Sequence, residues 1–83
     1  MAVLHNVGAR IEKIDQQIIT LIEQRALLCQ EALEEDSAAL SAEHEMEIVG
    51  LWGSEAEHRG LDEMGMERIC KAILAFCKKM GES

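Results

Sequence analysis

The chain has 83 residues, carries 8 Lys and Arg against 16 Asp and Glu, and has a net charge of −8 with no proline. A chain this short forms one domain, residues 1–83, and often needs a partner subunit, a metal or disulfides to complete its core. Its negative charge argues against nucleic-acid partners, and one Trp and one Phe offer no platform for base stacking.

The first predicted element is one long helix from about Leu4 to Glu35. At ~1.5 Å per residue it would be roughly 45 Å long. Its apolar residues recur at steps of three and four, the spacing of a single helix face. They are Leu4, Val7, Ile11, Ile14, Ile18, Leu21, Leu28 and Ala32. A neighbouring apolar stripe widens this face in the C-terminal half, so the helix needs cover on more than one side.

A second helix is predicted from about Ala42 to His58, after a connection in the run EEDSAALSAE. Ser41 is a suitable N-cap, because its hydroxyl can accept a hydrogen bond from the first turn. Gly60 predicts the C-terminal stop, since glycine readily adopts the left-handed conformation that ends helices. The residues expected to point inward are Ile48, Val49, Leu51 and Trp52.

A third helix is predicted from about Asp62 to Met80. One face carries Met66, Ile69, Cys70, Ile73, Leu74, Cys77 and Met80. Neither later helix is long enough to cover the first one on both sides. The sequence therefore predicts an all-α, three-helix fold that is completed in an intertwined homodimer.

One cation, Arg25, interrupts the apolar face of the first helix. It has two interpretations. Its stem can run along the apolar surface and bring the charge out to the rim. Alternatively, the guanidinium faces a pocket between helices, where it needs an anion and can bind a carboxylate through two parallel hydrogen bonds.

The segment ARIEKIDQQIITLIEQRALL resembles the first helix of the all-α chorismate mutases, and SAEHEMEIVGLW and GLDEMGMERICKAILAFCKKM resemble their second and third helices. The resemblance implies an intertwined three-helix dimer without a cofactor or metal. It also implies the rearrangement of chorismate to prephenate. Cations and hydrogen-bond donors catalyse that reaction by holding two substrate carboxylates and an ether oxygen in a reactive shape.

The resemblance assigns five residues to the substrate site. Arg25 would hold a substrate carboxylate, and Glu45 would contact the substrate hydroxyl. His44 stands where an arginine is expected, Ser41 where an aspartate is usual, and Cys77 where a serine-like donor is found. The site residues implied by the resemblance are therefore present in part and substituted in part.

Other expected site groups are missing. Gly8 replaces an arginine that reaches into the partner's site, and Gly81 replaces a Gln or Glu that contacts the ether oxygen. The connecting segment lacks its lysine, and no Lys or Arg occurs between Ala26 and His58. Because one well-placed donor can contribute about 3–4 kcal/mol to transition-state stabilisation, losing several should remove nearly all rate enhancement.

Three functions stay open. The first is a family member with a degenerated or repurposed site, which binds a small dicarboxylate or a partner enzyme in aromatic or secondary metabolism. The second is a working chorismate mutase with atypical site residues. The third is a purely structural helical dimer, in which Arg25 is a rim residue.

The remaining sequence patterns concern the cellular location of the protein and argue against a metal site or a membrane span. Three cysteines are an odd number, which fits a reduced, cytoplasmic protein. Cys70 and Cys77 are expected to be core thiols, and the single Glu55-x-x-His58 pair is expected on the surface. The N-terminus does not resemble a signal peptide. No apolar stretch approaches the ~20 residues that span a membrane.

Overall fold

The computed structural model describes residues 2–36 and 41–82, with side-chain surroundings for residues 6–36 and 41–80. The described chain forms three helices and no strand: α1 (Ala2–Glu35), α2 (Ala42–His58) and α3 (Glu63–Glu82). The predicted all-α, three-helix fold is confirmed, and every predicted helix limit lies within two residues of the observed one. Residues 37–40, in the middle of the predicted connection, lie outside the described residues.

The predicted caps of α2 are both present. Ser41 Oγ accepts a hydrogen bond from the backbone N–H of His44 at 3.2 Å. At the other end Gly60 has a φ of 72°, and the N–H of Leu61 donates to the carbonyl of Ala56 at 2.8 Å. This is the arrangement that commonly ends a helix at a left-handed glycine. It turns the chain so that α3 can run back along α2.

Replacing either of two glycines in this region by alanine should change the free energy of unfolding, with opposite signs at the two positions. Gly60→Ala should lower the free energy of unfolding by about 1 kcal/mol, because an alanine is strained at a φ of 72°. Gly50→Ala should raise it by roughly 0.5–1 kcal/mol, because Gly50 lies inside α2 and a Cβ there meets nothing within 4 Å. Urea unfolding at one fixed protein concentration measures both. Changes of the same sign would contradict this account of the α2–α3 turn.

The helix α3 lies between the other two. Among the described residues α1 and α2 each contact α3 and do not contact each other. The buried hydrophobic residues are few: Ala26, Ala56, Cys70, Leu74 and Cys77. The chain thus has a thin core built along one side of α3.

Close approach of α2 to α3 relies on small residues. Gly53 and Ala56 are the buried residues of α2. The prediction that Leu51 points inward is wrong within one chain, where Leu51 is 62% exposed. Ile69, on the predicted apolar face of α3, is 51% exposed. The small residues occupy the contact line, and the larger side chains flank it.

The helix α1 keeps most of its apolar surface exposed. All residues from Asn6 to Leu21 are exposed, including five large side chains of the predicted stripe: Val7, Ile11, Ile14, Ile18 and Leu21. The Cα radius of gyration is 15.6 Å, compared with about 12 Å for a compact chain of this length. No helix in the described part of the chain is long and apolar enough to cross a membrane.

Candidate functional site

The arginine that interrupts the apolar stripe faces α3. Arg25 is half-buried, and its Nη1 donates hydrogen bonds to two sulfur atoms. One is Cys29 Sγ at 3.5 Å, one turn further along α1, and the other is Cys77 Sγ of α3 at 3.4 Å. Because Cys77 is only 1% exposed, the guanidinium points into the seam between the two helices.

The hydrogen-bond partners of Arg25 are weak ones. A cysteine sulfur is a poor acceptor, whereas a guanidinium carries five N–H donors and a full positive charge. Among the described residues no carboxylate lies within ion-pair distance of Arg25. Its charge is therefore half-buried without a described counter-charge.

The thiols around Arg25 do not supply that counter-charge. Burial raises the pKa of Cys29 above its ordinary value, the Cys77 thiol beside it raises this pKa further, and Arg25 opposes both effects. Burial also raises the pKa of Cys70, with Arg25 again acting in the opposite direction and Glu67 adding to the rise. Cys29 and Cys70 are therefore neutral thiols near pH 7. Within the described residues no group of three His, Cys, Asp or Glu side chains is placed to hold a metal ion.

The predicted glutamate lies against the face of α3 that meets α2. Glu45 belongs to the first turn of α2, and its side chain is 17% exposed. Its Oε1 lies 3.1 Å from Lys78 Nζ, while its Oε2 is buried without a hydrogen-bond partner. Glu45 therefore does not supply the counter-charge of Arg25 within the chain. Lys78 is the ion-pair partner of Glu45, because it faces α2 from the position next to Cys77.

These contacts bring Arg25 and Glu45 to one level of α3. Arg25 touches Cys77, Glu45 touches Lys78, and consecutive Cα atoms are about 3.8 Å apart. Because consecutive helix positions point about 100° apart, the two charged groups meet adjacent faces of α3, one carried by α1 and the other by α2. Beside Glu45 an open groove of about 600 Å³ runs between α2 and α3, lined also by Lys71 and Lys78. Arg25 is not among the residues that line it.

The structure does not bring the other predicted site residues to Arg25. The hydroxyl of Ser41 is used in capping α2. The His44 side chain is 52% exposed, with Nδ1 3.9 Å from an oxygen of Glu47. A Cβ at Gly8 would meet nothing within 4 Å, so the packing of this chain does not require a glycine there. Gly81 lies outside the residues whose surroundings the structure describes.

Two residues that contact the candidate site residues, Cys29 and Lys78, were not predicted from the sequence to belong to the site. Cys29 follows Arg25 by four residues, a spacing that places side chains on one face of a helix, so its proximity could have been predicted. Lys78 carried no comparable signal. Its contact with Glu45 depends on how α2 lies against α3, which the sequence pattern does not specify.

Comparison with known proteins gives one positive result. Residues 7–82 match the family model described as Chorismate mutase type II. Neither a curated protein nor a solved structure matches the chain. The match includes α2 entirely, nearly all of α1 and all of α3, so the whole candidate site lies within it.

Proposed function

The chain belongs to the chorismate mutase type II family, and on that premise we propose that it binds a small carboxylate while catalysing little or no rearrangement of chorismate to prephenate. The observation that carries this proposal is the state of Arg25, which is half-buried and bonded only to two sulfur atoms among the described residues. A desolvated cation without a counter-charge is costly. A ligand carboxylate would offset that cost through charge-assisted, two-point hydrogen bonding.

The orphaned oxygen of Glu45 supports the same proposal. Glu45 Oε2 is buried and has no hydrogen-bond partner, although a buried carboxylate oxygen normally has one. A hydroxyl group on the ligand would provide a donor. The proposed ligand is therefore a small carboxylate with a hydroxyl, whose carboxylate would bind Arg25 on α1 and whose hydroxyl would donate to Glu45 on α2.

Weak or absent catalysis is proposed because the remaining donors are missing or engaged elsewhere. His44 lies beside Glu47 on the exposed side of α2, and Ser41 caps that helix. Cys77 accepts a hydrogen bond from Arg25, and a thiol is itself only a weak donor. Each lost transition-state donor lowers kcat by about 10²–10³, so the combined loss should leave almost no rate enhancement.

One observation favours a second candidate, a working chorismate mutase. Lys78 brings a cation to the level of Cys77 and Glu45. In this alternative Lys78 would replace one of the cations absent from α2 and from the connecting segment. The two candidates share carboxylate binding and differ in turnover, which can be measured separately.

We also propose that the chain forms a homodimer through α1. The accessible surface is 6781 Å², whereas a compact monomer of 9.2 kDa would expose about 4,900 Å². Burying the excess of about 1,900 Å² on each chain would give an interface of about 3,800 Å², in the range of obligate homodimers. A second α1 is the occupant that fits, because it offers the same long apolar stripe.

Thermal unfolding tests the proposed ligand class. Millimolar chorismate, prephenate or malonate should raise the melting temperature of the wild-type protein, because a ligand that binds only the folded state stabilises it by about 2.7 kcal/mol at 100 times its Kd. Sodium chloride at equal ionic strength is the control for general salt effects. If none of these carboxylates raises the melting temperature beyond the salt control, the proposal fails and the purely structural dimer is favoured.

A further inference from the structure

The proposed ligand site leaves an arrangement of thiols unexplained. Cys29 and Cys77 belong to different helices, yet both sulfur atoms accept a hydrogen bond from the same nitrogen, Arg25 Nη1. The two thiols are also close enough for Cys77 to raise the pKa of Cys29. Neither is engaged in a disulfide.

We propose that Cys29 and Cys77 are a redox modification site, at which a reversible disulfide links α1 to α3. The oxidant would be hydrogen peroxide or a small disulfide such as oxidised glutathione. This inference rests on the positions of the thiols and does not depend on the proposed carboxylate ligand.

The exposure of the two thiols suggests the order of reaction with peroxide. Cys29 is half-buried, whereas Cys77 is 1% exposed, so the oxidant reaches Cys29 first. Burial keeps most of Cys29 protonated by raising its pKa, and the adjacent Arg25 opposes this rise, so the reactive thiolate is the minor form. This thiolate attacks one peroxide oxygen, the O–O bond breaks, and a sulfenic acid and hydroxide form.

In the second step the sulfur of Cys77 attacks the sulfur of Cys29. The S–O bond breaks, the S–S bond forms, and the hydroxyl group leaves as water with the proton of Cys77. Overall two thiols are oxidised to one disulfide, and one hydrogen peroxide is reduced to two waters. A thiol reductant reverses the modification.

The third cysteine is a matched control. Cys70 is as buried as Cys77, and both lie on the same side of α3. They are seven residues apart, which is about 10.5 Å along the helix. A disulfide between Cys70 and Cys77 is therefore excluded, because it can bridge Cα atoms only up to ~7 Å apart. Arg25 Nη1 donates to Cys29 and Cys77, and it is Cys77 that the shared nitrogen places beside Cys29.

The link would act on the attachment of α1. Among the described residues α1 contacts only α3 within its own chain. A covalent bond between Cys29 and Cys77 would hold α1 to α3 even where the noncovalent contacts fail. Oxidation should therefore make the fold more resistant to unfolding.

Peptide mapping tests the proposed pairing. The reduced protein is treated with hydrogen peroxide, its free thiols are alkylated, and it is digested with trypsin. Cleavage after Lys and Arg separates the cysteines into peptides 26–59, 69–71 and 72–78. We expect 26–59 linked to 72–78, with peptide 69–71 alkylated, and a single-chain mass on a non-reducing gel. The linked product should disappear in Cys29→Ser and Cys77→Ser and persist in Cys70→Ala.

Stability provides a second readout on the wild-type protein. The oxidised form should melt about 10 °C or more above the reduced form, and dithiothreitol should reverse the increase. A link to peptide 69–71, a disulfide between two chains, or thiols that stay reduced when folded but oxidise readily in urea would overturn the proposal. The wild-type peptide map decides this even if a cysteine variant fails to fold.

Discussion

Ile14→Glu should turn the folded dimer into largely unfolded chains. Ile14 lies in the exposed apolar stripe of α1 and is 53% exposed in the single chain. In the proposed dimer it is covered by the partner, so the substitution would bury a carboxylate without a counter-charge. Leaving such a charge unpaired in an interface costs several kcal/mol. That is a large part of the 5–15 kcal/mol that stabilises a typical protein, and this chain buries few side chains of its own.

The matched control adds the same carboxylate to the other side of α1. Gln16 lies two residues from Ile14, about 200° around the helix, and is also exposed. Gln16→Glu should change the free energy of unfolding by no more than about 0.5 kcal/mol. Circular dichroism and sedimentation equilibrium measure helix content and mass for both variants. A wild-type protein that sediments as a stable, folded 9.2 kDa monomer, or an Ile14→Glu variant that stays dimeric, would contradict the proposed interface.

Arg25→Met should abolish stabilisation by carboxylates while leaving the ligand-free protein as stable as the wild type or more so. Methionine keeps much of the stem and suits a helix, and it removes a charge whose described partners are two sulfur atoms. The rise in melting temperature produced by millimolar carboxylate should fall to that of the salt control. Arg25→Lys should show an intermediate response, because an ammonium group cannot form the two-point contact of a guanidinium.

Arg68→Met serves as the control for loss of a cation. Arg68 is exposed on α3, nine residues before Cys77 and therefore on the opposite side of that helix. Its substitution removes the same charge and should leave the carboxylate response intact. If Arg25→Met responds to carboxylates like the wild type, or if Arg68→Met loses the response equally, then Arg25 does not form the anion site.

The helices and their ends could be predicted because their signals are local. The stripe of α1, the Ser41 cap and the Gly60 stop are each encoded within a few consecutive residues, and all three are present. Burial on α2 and α3 could not be predicted in the same way. Leu51 is exposed because Gly53 and Ala56 form the buried line against α3, and the choice between these lines is made by tertiary packing.

The candidate site shows the same division. The stripe placed Arg25 on the apolar face of α1, because a helical repeat fixes which residues share a face, but it left open a rim position or a pocket between helices. In the structure Arg25 faces Cys77. The pairing of Glu45 with Lys78 was not predicted, since it depends on the position of α2 relative to α3. The sequence could thus predict which residues share a face of one helix, whereas contacts between helices could be found only in the structure.

Turnover of chorismate by the protein that binds it tests the central claim most directly. The sample is purified from a host without its own chorismate mutase, and chorismate is added at a concentration that raises the melting temperature. We expect the wild-type protein to form prephenate no faster than a parallel sample of Arg25→Met. The reason is that the wild-type protein binds chorismate but lacks the donors that stabilise the transition state. A wild-type kcat in the ordinary enzyme range of about 1–10³ s⁻¹ would contradict the account and favour the working mutase.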